Sequence, residues 1–250
     1  MMRNVVPLVL HQIVPDGSCA NFEDIEISML RRILDVCQGR CVHVEERSAP
    51  DDPLDRFYLL TFDDGNLSDF EIALPLLKEK DCSASFFIAT EKIGTQEHLS
   101  WSQVRELHDA GMMIGSHSAS HPDMRSLPLS KQREELLSSR LCIEDKLGAA
   151  ITAFSFPFGK FNKSLIELAW NAGYREVYTS KHGVTEFPAS LLPRNSINSS
   201  MSWESVSETL NASALARFKW GIEDIAKDLI QLVGGDNVYF ALRSIWFRRR

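Results

Sequence analysis

The alternation of short apolar runs with amphipathic helical segments constrains the fold of this chain more than any other feature. Strand-like runs recur about seven times, with helical spacing of apolar residues between them. Neighbouring parallel strands need a crossover connection, so this order predicts a parallel sheet covered by helices. Seven such units without a Pro-, Gly- or Ser-rich linker favour a closed or nearly closed barrel. The predicted strands are Val5–Leu10, Phe57–Phe62, Ser85–Ile88, Met112–Gly115, Ala153–Phe156, Val177–Thr179 and Leu191–Ile197.

Length and charge narrow the domain organisation and the class of partner. The chain has 250 residues and a formal net charge of −7. We expect one domain over residues 1–250, with a helical C-terminal extension from about residue 201. The acidity argues against nucleic acid as a partner, because phosphate binding depends on Lys and Arg. No apolar run is long enough to span a membrane and no signal-peptide pattern follows the N-terminus, so we expect a cytoplasmic protein.

Two of the predicted helices have readable N-terminal ends. Ser68 is followed three residues later by Glu71, and Ser100 is followed by Gln103 in the same way. This is the spacing of a capping box, in which two side chains satisfy free backbone N–H groups of the first turn. Both serines are therefore predicted N-caps.

Two adjacent acids, Asp63 and Asp64, directly follow the predicted strand Phe57–Phe62. Ionising two neighbouring carboxylates is costly without a cation. A bound metal removes the difficulty, because one carboxylate ligates it while the other stays free for proton transfer. Gly65 lets the backbone turn sharply after the pair. The alternative is a polar turn, since Asp-Asp-Gly is common in turns.

Two histidines, His117 and His121, follow the predicted strand Met112–Gly115. Residues four apart share a face if the segment winds into a helical turn, and imidazole suits zinc and related metals. With Asp64 they form a set of two histidines and one carboxylate that leaves coordination positions open for water and substrate. The C-terminal ends of barrel strands meet at one face, which favours a metal site over separate structural roles.

These motifs resemble the polysaccharide deacetylase family (carbohydrate esterase family 4), whose homology domain is named after the NodB nodulation deacetylases. The segments FEIALPLLKEKDCSASFFI, LSWSQVRELHDAGMMIGSHSASHPDM and FSFPFGKFN resemble that family in order and spacing. The resemblance implies a distorted (β/α)7 barrel, one divalent ion with Zn²⁺ expected, and hydrolysis of an N-acetyl group on an amino sugar. It implies Asp63 as catalytic base. The metal ligands would be Asp64, His117 and His121, and Pro157, Phe158 and Gly159 would bind substrate. His182 is a further expected substrate-binding residue because it follows the predicted strand Val177–Thr179, although its setting has no counterpart in the family.

One departure from the family concerns an arginine that orients the catalytic base. The family's third motif has a pattern like Arg-Pro-Pro-Tyr-Gly, whereas Ser155–Gly159 keeps the Pro and Gly and has no Arg. Arg194, on another predicted strand, is the candidate for the missing cation, and a surface arginine is the alternative. We predict that its guanidinium reaches the Asp63 carboxylate, where a planar fork would fix the base.

A second departure concerns the general acid. The family usually ends with a strand that carries a histidine, but no histidine follows His182. Leu8–His11 has the same form of a strand followed by histidine at the opposite end of the chain. The first and last strands of a closed barrel are neighbours, so a circular permutation of this kind preserves the site. We predict His11 as the general acid, with His182 as the competing candidate.

The expected substrate is an N-acetylated sugar, sugar nucleotide or glycan, used in assembling a surface polysaccharide such as an O-antigen or exopolysaccharide. Two alternatives stay open. Relatives of this fold hydrolyse other amides, such as formamido sugars or cyclic ureides. The missing motif-three arginine also allows a catalytically inactive carbohydrate-binding protein, although binding alone would not need Asp63.

The C-terminal part carries a narrow apolar stripe with spacings of 3, 4, 3, 4 and 3 residues. We interpret it as a helix packed on the barrel wall, and contact with a second copy of the chain is the alternative. The stripe consists of Leu215, Phe218, Ile222, Ile225, Leu229 and Leu232.

Overall fold

The structure, a computed structural model, describes residues 4–43, 56–227 and 229. Its strands are β1 (Asn4–Leu10), β2 (Ile13–Val14), β3 (Ile25–Glu26), β4 (Arg56–Phe62), β5 (Ser85–Ile88), β6 (Met113–Ser116), β7 (Ala153–Ser155), β8 (Glu176–Tyr178), β9 (Thr185–Glu186), β10 (Leu191–Leu192) and β11 (Asn195–Ser196). Its helices are α1 (Ile27–Cys37), α2 (Leu74–Glu79), α3 (Trp101–Asp109), α4 (Leu129–Leu147), α5 (Lys163–Asn171), α6 (Trp203–Leu210) and α7, which includes residues 214–227. Within these ranges, none of the helices combines the length and apolarity needed to cross a bilayer.

The main sheet is a nearly closed barrel, which confirms the predicted fold class. Eight strands follow the order β10-β8-β7-β6-β5-β4-β1-β11, all paired in parallel, and β9 pairs with β1 in the antiparallel sense. The two ends of this path, β10 and β11, are separated in the chain by Pro193 and Arg194 alone. The predicted strand Leu191–Ile197 is therefore two short strands that lie on either side of the closure. Proline cannot donate a ladder hydrogen bond, which suits Pro193 to the break.

Alternation along the strands divides the apolar core into two layers. In β4, Phe57 and Leu59 belong to a small cluster with side chains of β5, β7 and β8, inside the barrel. Tyr58 and Leu60 belong to the larger cluster that includes buried residues of the surrounding helices. Successive side chains of a strand point to opposite faces, and Asp63 lies an even number of residues after Phe57 and Leu59. Its side chain is therefore expected on the same, interior side of the barrel.

The two predicted capping boxes have different outcomes. At Ser100 the box is present, with the hydroxyl accepting from the Gln103 backbone N–H and the Gln103 side chain accepting from the Ser100 N–H. The prediction for Ser68 is wrong. Its hydroxyl accepts a hydrogen bond from the Ile13 backbone N–H at 3.0 Å, and a π-helical turn over Asp69–Ala73 leads into α2. The serine therefore connects two segments distant in sequence and does not cap a helix.

Helix α7 packs on the barrel by a face other than the apolar stripe. Ala216 and Trp220 are 2% and 7% exposed and belong to the main core. The described stripe residues are between 51% and 66% exposed, so the interpretation of the stripe as a wall contact is wrong. These residues are Leu215, Phe218, Ile222, Ile225 and Leu229, and Leu232 lies outside the described residues.

Candidate active site

Strand alternation brings the predicted polar residues to one mouth of the barrel. Val5 of β1, Phe57 of β4 and Ala153 of β7 all belong to the interior cluster. His11, Asp63, His117 and Ser155 lie an even number of residues beyond interior positions of their strands, at or just past the strand ends. Parallel pairing places those ends at the same edge, as the C-terminal face of a barrel requires.

The Asp63 carboxylate is held in a planar fork by Arg194, as predicted from the sequence. The guanidinium donates from Nη1 to Oδ1 at 2.6 Å and from Nη2 to Oδ2 at 2.7 Å. Arg194 is 1% exposed, which excludes the surface alternative. Its remaining donors are also used, since Nε donates to the Thr179 carbonyl and Nη1 to the Thr61 hydroxyl. Because Arg194 is itself held by Thr61 and Thr179, it fixes the orientation of the Asp63 carboxylate.

Asp64, His117 and His121 form a cluster suited to a metal ion. Their candidate ligand atoms all lie within 4.8 Å of one another. Asp64 Oδ1 is 3.0 Å from His121 Nε2 and 3.9 Å from His117 Nε2. The His117 Nδ1 faces the Ser155 carbonyl oxygen at 2.8 Å, which places the ring proton on Nδ1 and leaves the Nε2 lone pair for a metal. Two imidazoles and one carboxylate fit zinc and its neighbours.

A tight loop brings His117 and His121 together. The helical turn that would place residues four apart on one face does not form here. Ser118 and His121 have φ values of 69° and 59°, in the left-handed region. The His121 backbone N–H donates to the Ser118 hydroxyl at 3.0 Å, which stabilises the loop. The imidazole centroids are 4.8 Å apart. At Asp64, a φ of 80° similarly breaks the strand alternation and turns its side chain away from the direction of Asp63.

The pKa values of Asp63, Asp64 and His117 suit one carboxylate that accepts a proton and a set of residues that ligates a metal. Burial opposes ionisation of Asp63, but the Arg194 guanidinium outweighs it and lowers the pKa of Asp63 to about 2. The pKa of Asp64 is also lowered, because the hydrogen bond from His121 and the nearby histidines outweigh its burial. Burial lowers the pKa of His117 to about 4, against the opposing effect of Asp63. A neutral imidazole between two ionised carboxylates is the state that ligation requires.

The motif-three residues line the same mouth. Pro157–Gly159 forms a 3-10 turn after β7. The Phe158 side chain is 52% exposed, and its ring centroid is 4.6 Å from that of His121. Gly159 has a φ of 63°, and a Cβ atom there would lie 2.0 Å from the Ser180 hydroxyl. The turn thus presents an aromatic ring beside His121, a candidate metal ligand.

The two histidine candidates for the general acid occupy different surroundings. His11 follows β1, close enough to Asp63 and Asp64 to be among the groups that lower the pKa of both carboxyl groups. Its Nδ1 is buried and makes no hydrogen bond within the described part of the chain. His182 instead binds α7, with Nδ1 2.8 Å from Asp224 Oδ1 and a stacking contact with Trp220. These contacts support docking of α7 and give no support to the predicted substrate-binding role of His182.

Three residues contact the site although the sequence did not predict these contacts. The Ser155 hydroxyl donates to Asp63 Oδ2 at 3.1 Å and accepts from Arg194 at 2.7 Å. Thr61 accepts from Arg194, although its position inside the Thr-Phe-Asp-Asp-Gly motif gave a signal. Lys92 lies 3.1 Å from Asp64 Oδ1, and nothing in its sequence context indicates this contact.

Solved structures of deacetylases share this fold. The Streptococcus pyogenes deacetylase PplD in complex with acetate superposes with a TM-score of 0.74 at 21% identity, over 84% of this chain and 99% of that one. IcaB from Ammonifex degensii superposes with a TM-score of 0.70 at 22% identity, over 83% of this chain and 97% of that one. At these identities the likeness establishes the fold alone.

Sequence comparison identifies the family. YxkH of Bacillus subtilis (strain 168), which carries a provisional polysaccharide deacetylase name, is 29% identical over 131 residues. That match covers 52% of this chain and 47% of YxkH, so the chain spans about half the length of this relative. Peptidoglycan-N-acetylglucosamine deacetylase PgdA of Listeria monocytogenes is 28% identical over 109 residues, or 43% of this chain and 22% of PgdA. The polysaccharide deacetylase family model matches residues 51–177, just over half of the 250 residues. The chain belongs to the polysaccharide deacetylase family.

Proposed function

We propose that this chain is a metal-dependent N-deacetylase that hydrolyses the N-acetyl group of an amino sugar. The observation that carries the proposal is the Asp63 carboxylate, buried and clamped by Arg194 beside the cluster of Asp64, His117 and His121. A carbohydrate-binding protein has no use for an oriented, ionised base next to a metal set. This arrangement favours catalysis over the inactive alternative.

Asp63 acts as the general base in this proposal. Its low pKa keeps it ionised at neutral pH, and Arg194 and Ser155 fix the carboxylate so that it takes a proton from the attacking water. A divalent ion held by Asp64, His117 and His121, proposed to be Zn²⁺, would supply Lewis acidity for the acetyl carbonyl and the water. His11 donates the proton that the amine needs when the C–N bond breaks, and the products are acetate and a free amino sugar.

The proposed substrate is an N-acetylated sugar, sugar nucleotide or glycan in the assembly of a surface polysaccharide such as an O-antigen or exopolysaccharide. The name of PgdA, which specifies peptidoglycan N-acetylglucosamine, supports this substrate class. The half-exposed Phe158 ring beside His121 offers an apolar surface on which the face of a sugar ring can pack.

Metal analysis combined with product detection tests the proposal. We expect about one divalent ion per chain, removed by a chelator, and acetate release from at least one substrate in a panel of N-acetylated sugars, sugar nucleotides and oligosaccharides. The His117→Ala, His121→Ala double variant should lose the ion, and full occupancy in it would refute the site. Release of formate from formamido sugars, or hydrolysis of a cyclic ureide, would favour the alternative amidase. Sugar binding without product would favour an inactive relative.

A further inference from the structure

Lys92 makes an ion pair with the Asp64 carboxylate that the proposed chemistry does not use. Its Nζ lies 3.1 Å from Asp64 Oδ1, the same oxygen that is 3.0 Å from His121 Nε2. The carboxylate is therefore shared between a predicted metal ligand, His121, and the ammonium group of Lys92. The lysine side chain is 30% exposed and that of Asp64 is 20% exposed, so bulk water screens the pair only in part.

The backbone around Lys92 holds the ammonium group near this position. Lys92 lies in the turn after β5, where its N–H donates to the Ala89 carbonyl at 3.0 Å. Its own carbonyl accepts from the Thr95 hydroxyl at 2.7 Å and from the Thr95 N–H at 3.1 Å. Because both the N–H and the carbonyl of Lys92 are hydrogen-bonded, its backbone is held in place and its side chain extends from there to Asp64.

A cation at this distance opposes a second cation on the same carboxylate. The ammonium repels a divalent ion within a few ångströms, and it competes for the carboxylate oxygen that would ligate the ion. The remaining ligands, His117 and His121, are neutral donors when bound. The charge balance of the cluster thus depends on whether position 92 is positive.

We propose that Lys92 is a positioning residue that tunes the metal site by sharing the Asp64 carboxylate. It weakens the affinity for a divalent ion and leaves a bound ion more electron-poor, and therefore a stronger Lewis acid. The inference rests on the proposed function only in requiring that an ion binds at Asp64, His117 and His121.

The test compares the Zn²⁺ affinity of charge-changing variants of the whole chain. Lys92→Gln removes the charge at similar length, Lys92→Met repeats the removal without a polar head, and Lys92→Arg keeps the charge. Lys163→Gln is the matched control, because its side chain is 92% exposed in a surface pair. Zn²⁺ dissociation constants come from competition with a chromophoric chelator, and thermal unfolding of each metal-free variant checks that it is folded.

We expect Lys92→Gln and Lys92→Met to bind Zn²⁺ about tenfold more tightly than the wild type. Lys92→Arg and Lys163→Gln should stay within about twofold of it. Equal or weaker binding in the two neutral variants, with normal Zn²⁺ binding by the wild type, overturns this inference and leaves the proposed function standing. Failure of the wild type to bind any divalent ion overturns both.

Discussion

Asp63 and Asp64 are adjacent in the chain, yet the backbone gives them separate environments. Asp63 continues the interior alternation of β4 and meets Arg194, whereas a φ of 80° turns Asp64 toward His121 and Lys92. These environments suit the proposed roles, proton transfer for Asp63 and metal ligation for Asp64. The sequence indicated this division of roles, but it could not indicate Lys92, because that contact depends on the path of a loop 28 residues away.

Replacing Asp63 separates proton transfer from metal binding. Asp63→Asn should lower kcat by a factor of about 10² to 10⁴, the usual contribution of a general base. It should retain the metal, because the amide keeps the size of the side chain and the three ligands are untouched. Asp145→Asn, whose side chain is 75% exposed, is the control. Metal content and acetate release are measured for each variant. Loss of metal in Asp63→Asn that matches its loss of activity would show that Asp63 is a metal ligand.

His11 and His182 can be distinguished by their neighbours. His11→Ala should lower kcat by about 10²-fold or more, because the departing amine loses its proton donor. His182→Ala should keep most of the turnover but weaken the docking of α7, since it removes the contacts with Asp224 and Trp220. Steady-state kinetics and thermal unfolding of both variants give the comparison. Normal turnover in His11→Ala with loss in His182→Ala would reverse the assignment.

At the scale of the elements, periodicity predicted strands reliably and failed where tertiary contacts override local pattern. Each of six predicted strands corresponds to one observed strand, whereas the seventh, Leu191–Ile197, divides at Pro193 into β10 and β11, which pair with β8 and β1. Ser68 has the spacing of a cap, yet its hydroxyl satisfies the Ile13 N–H from another segment. No local sequence signal reports such partners.

The exposed stripe of α7 leads to a prediction about assembly. Its heptad-like spacing is that of a narrow helix–helix seam, and an exposed row of large apolar residues is a common sign of an interaction surface. We expect self-association that is lost in a Phe218→Glu, Ile225→Glu variant. Leu129→Glu, at a position 57% exposed on α4, is the control. Sedimentation velocity over a range of concentrations measures the effect, and a wild type that stays monomeric throughout contradicts the prediction.

At the scale of the whole molecule, the sequence predicted the barrel and the residues expected at its mouth, including Arg194 and His11, while the distances and hydrogen bonds among them needed coordinates. The family model matches residues 51–177, which include Asp63, Asp64, His117 and His121. Both His11 and Arg194 lie outside that range. Their placement follows from β1 lying between β4 and β11, a neighbourhood that depends on barrel closure and on no local pattern.

Arg194 couples this closure to stability. Arg194→Met should lower the free energy of unfolding by about 3–5 kcal/mol, because Asp63 is left as a buried charge without its partner. Arg31→Met, in a pair whose side chains are about half exposed, should cost less than about 1 kcal/mol. Urea unfolding measures both. Adding Asp63→Asn to Arg194→Met should recover part of the loss, and an absence of recovery would mean that charge burial is not the cause.

The break at Pro193 and Arg194 also sets an order of assembly. The proposed metal ligands all precede residue 122, whereas Arg194 belongs to the segment that closes the barrel, where the Asn195 side chain donates to the Pro7 carbonyl across 188 positions. Closing so long a loop carries an entropic cost that local contacts do not repay, so we expect this contact to form late. We therefore expect a growing or partly folded chain to bring together the proposed metal ligands before Arg194 orients the Asp63 carboxylate. If the proposed function holds, hydrolytic competence would therefore wait until the two ends of the barrel have met.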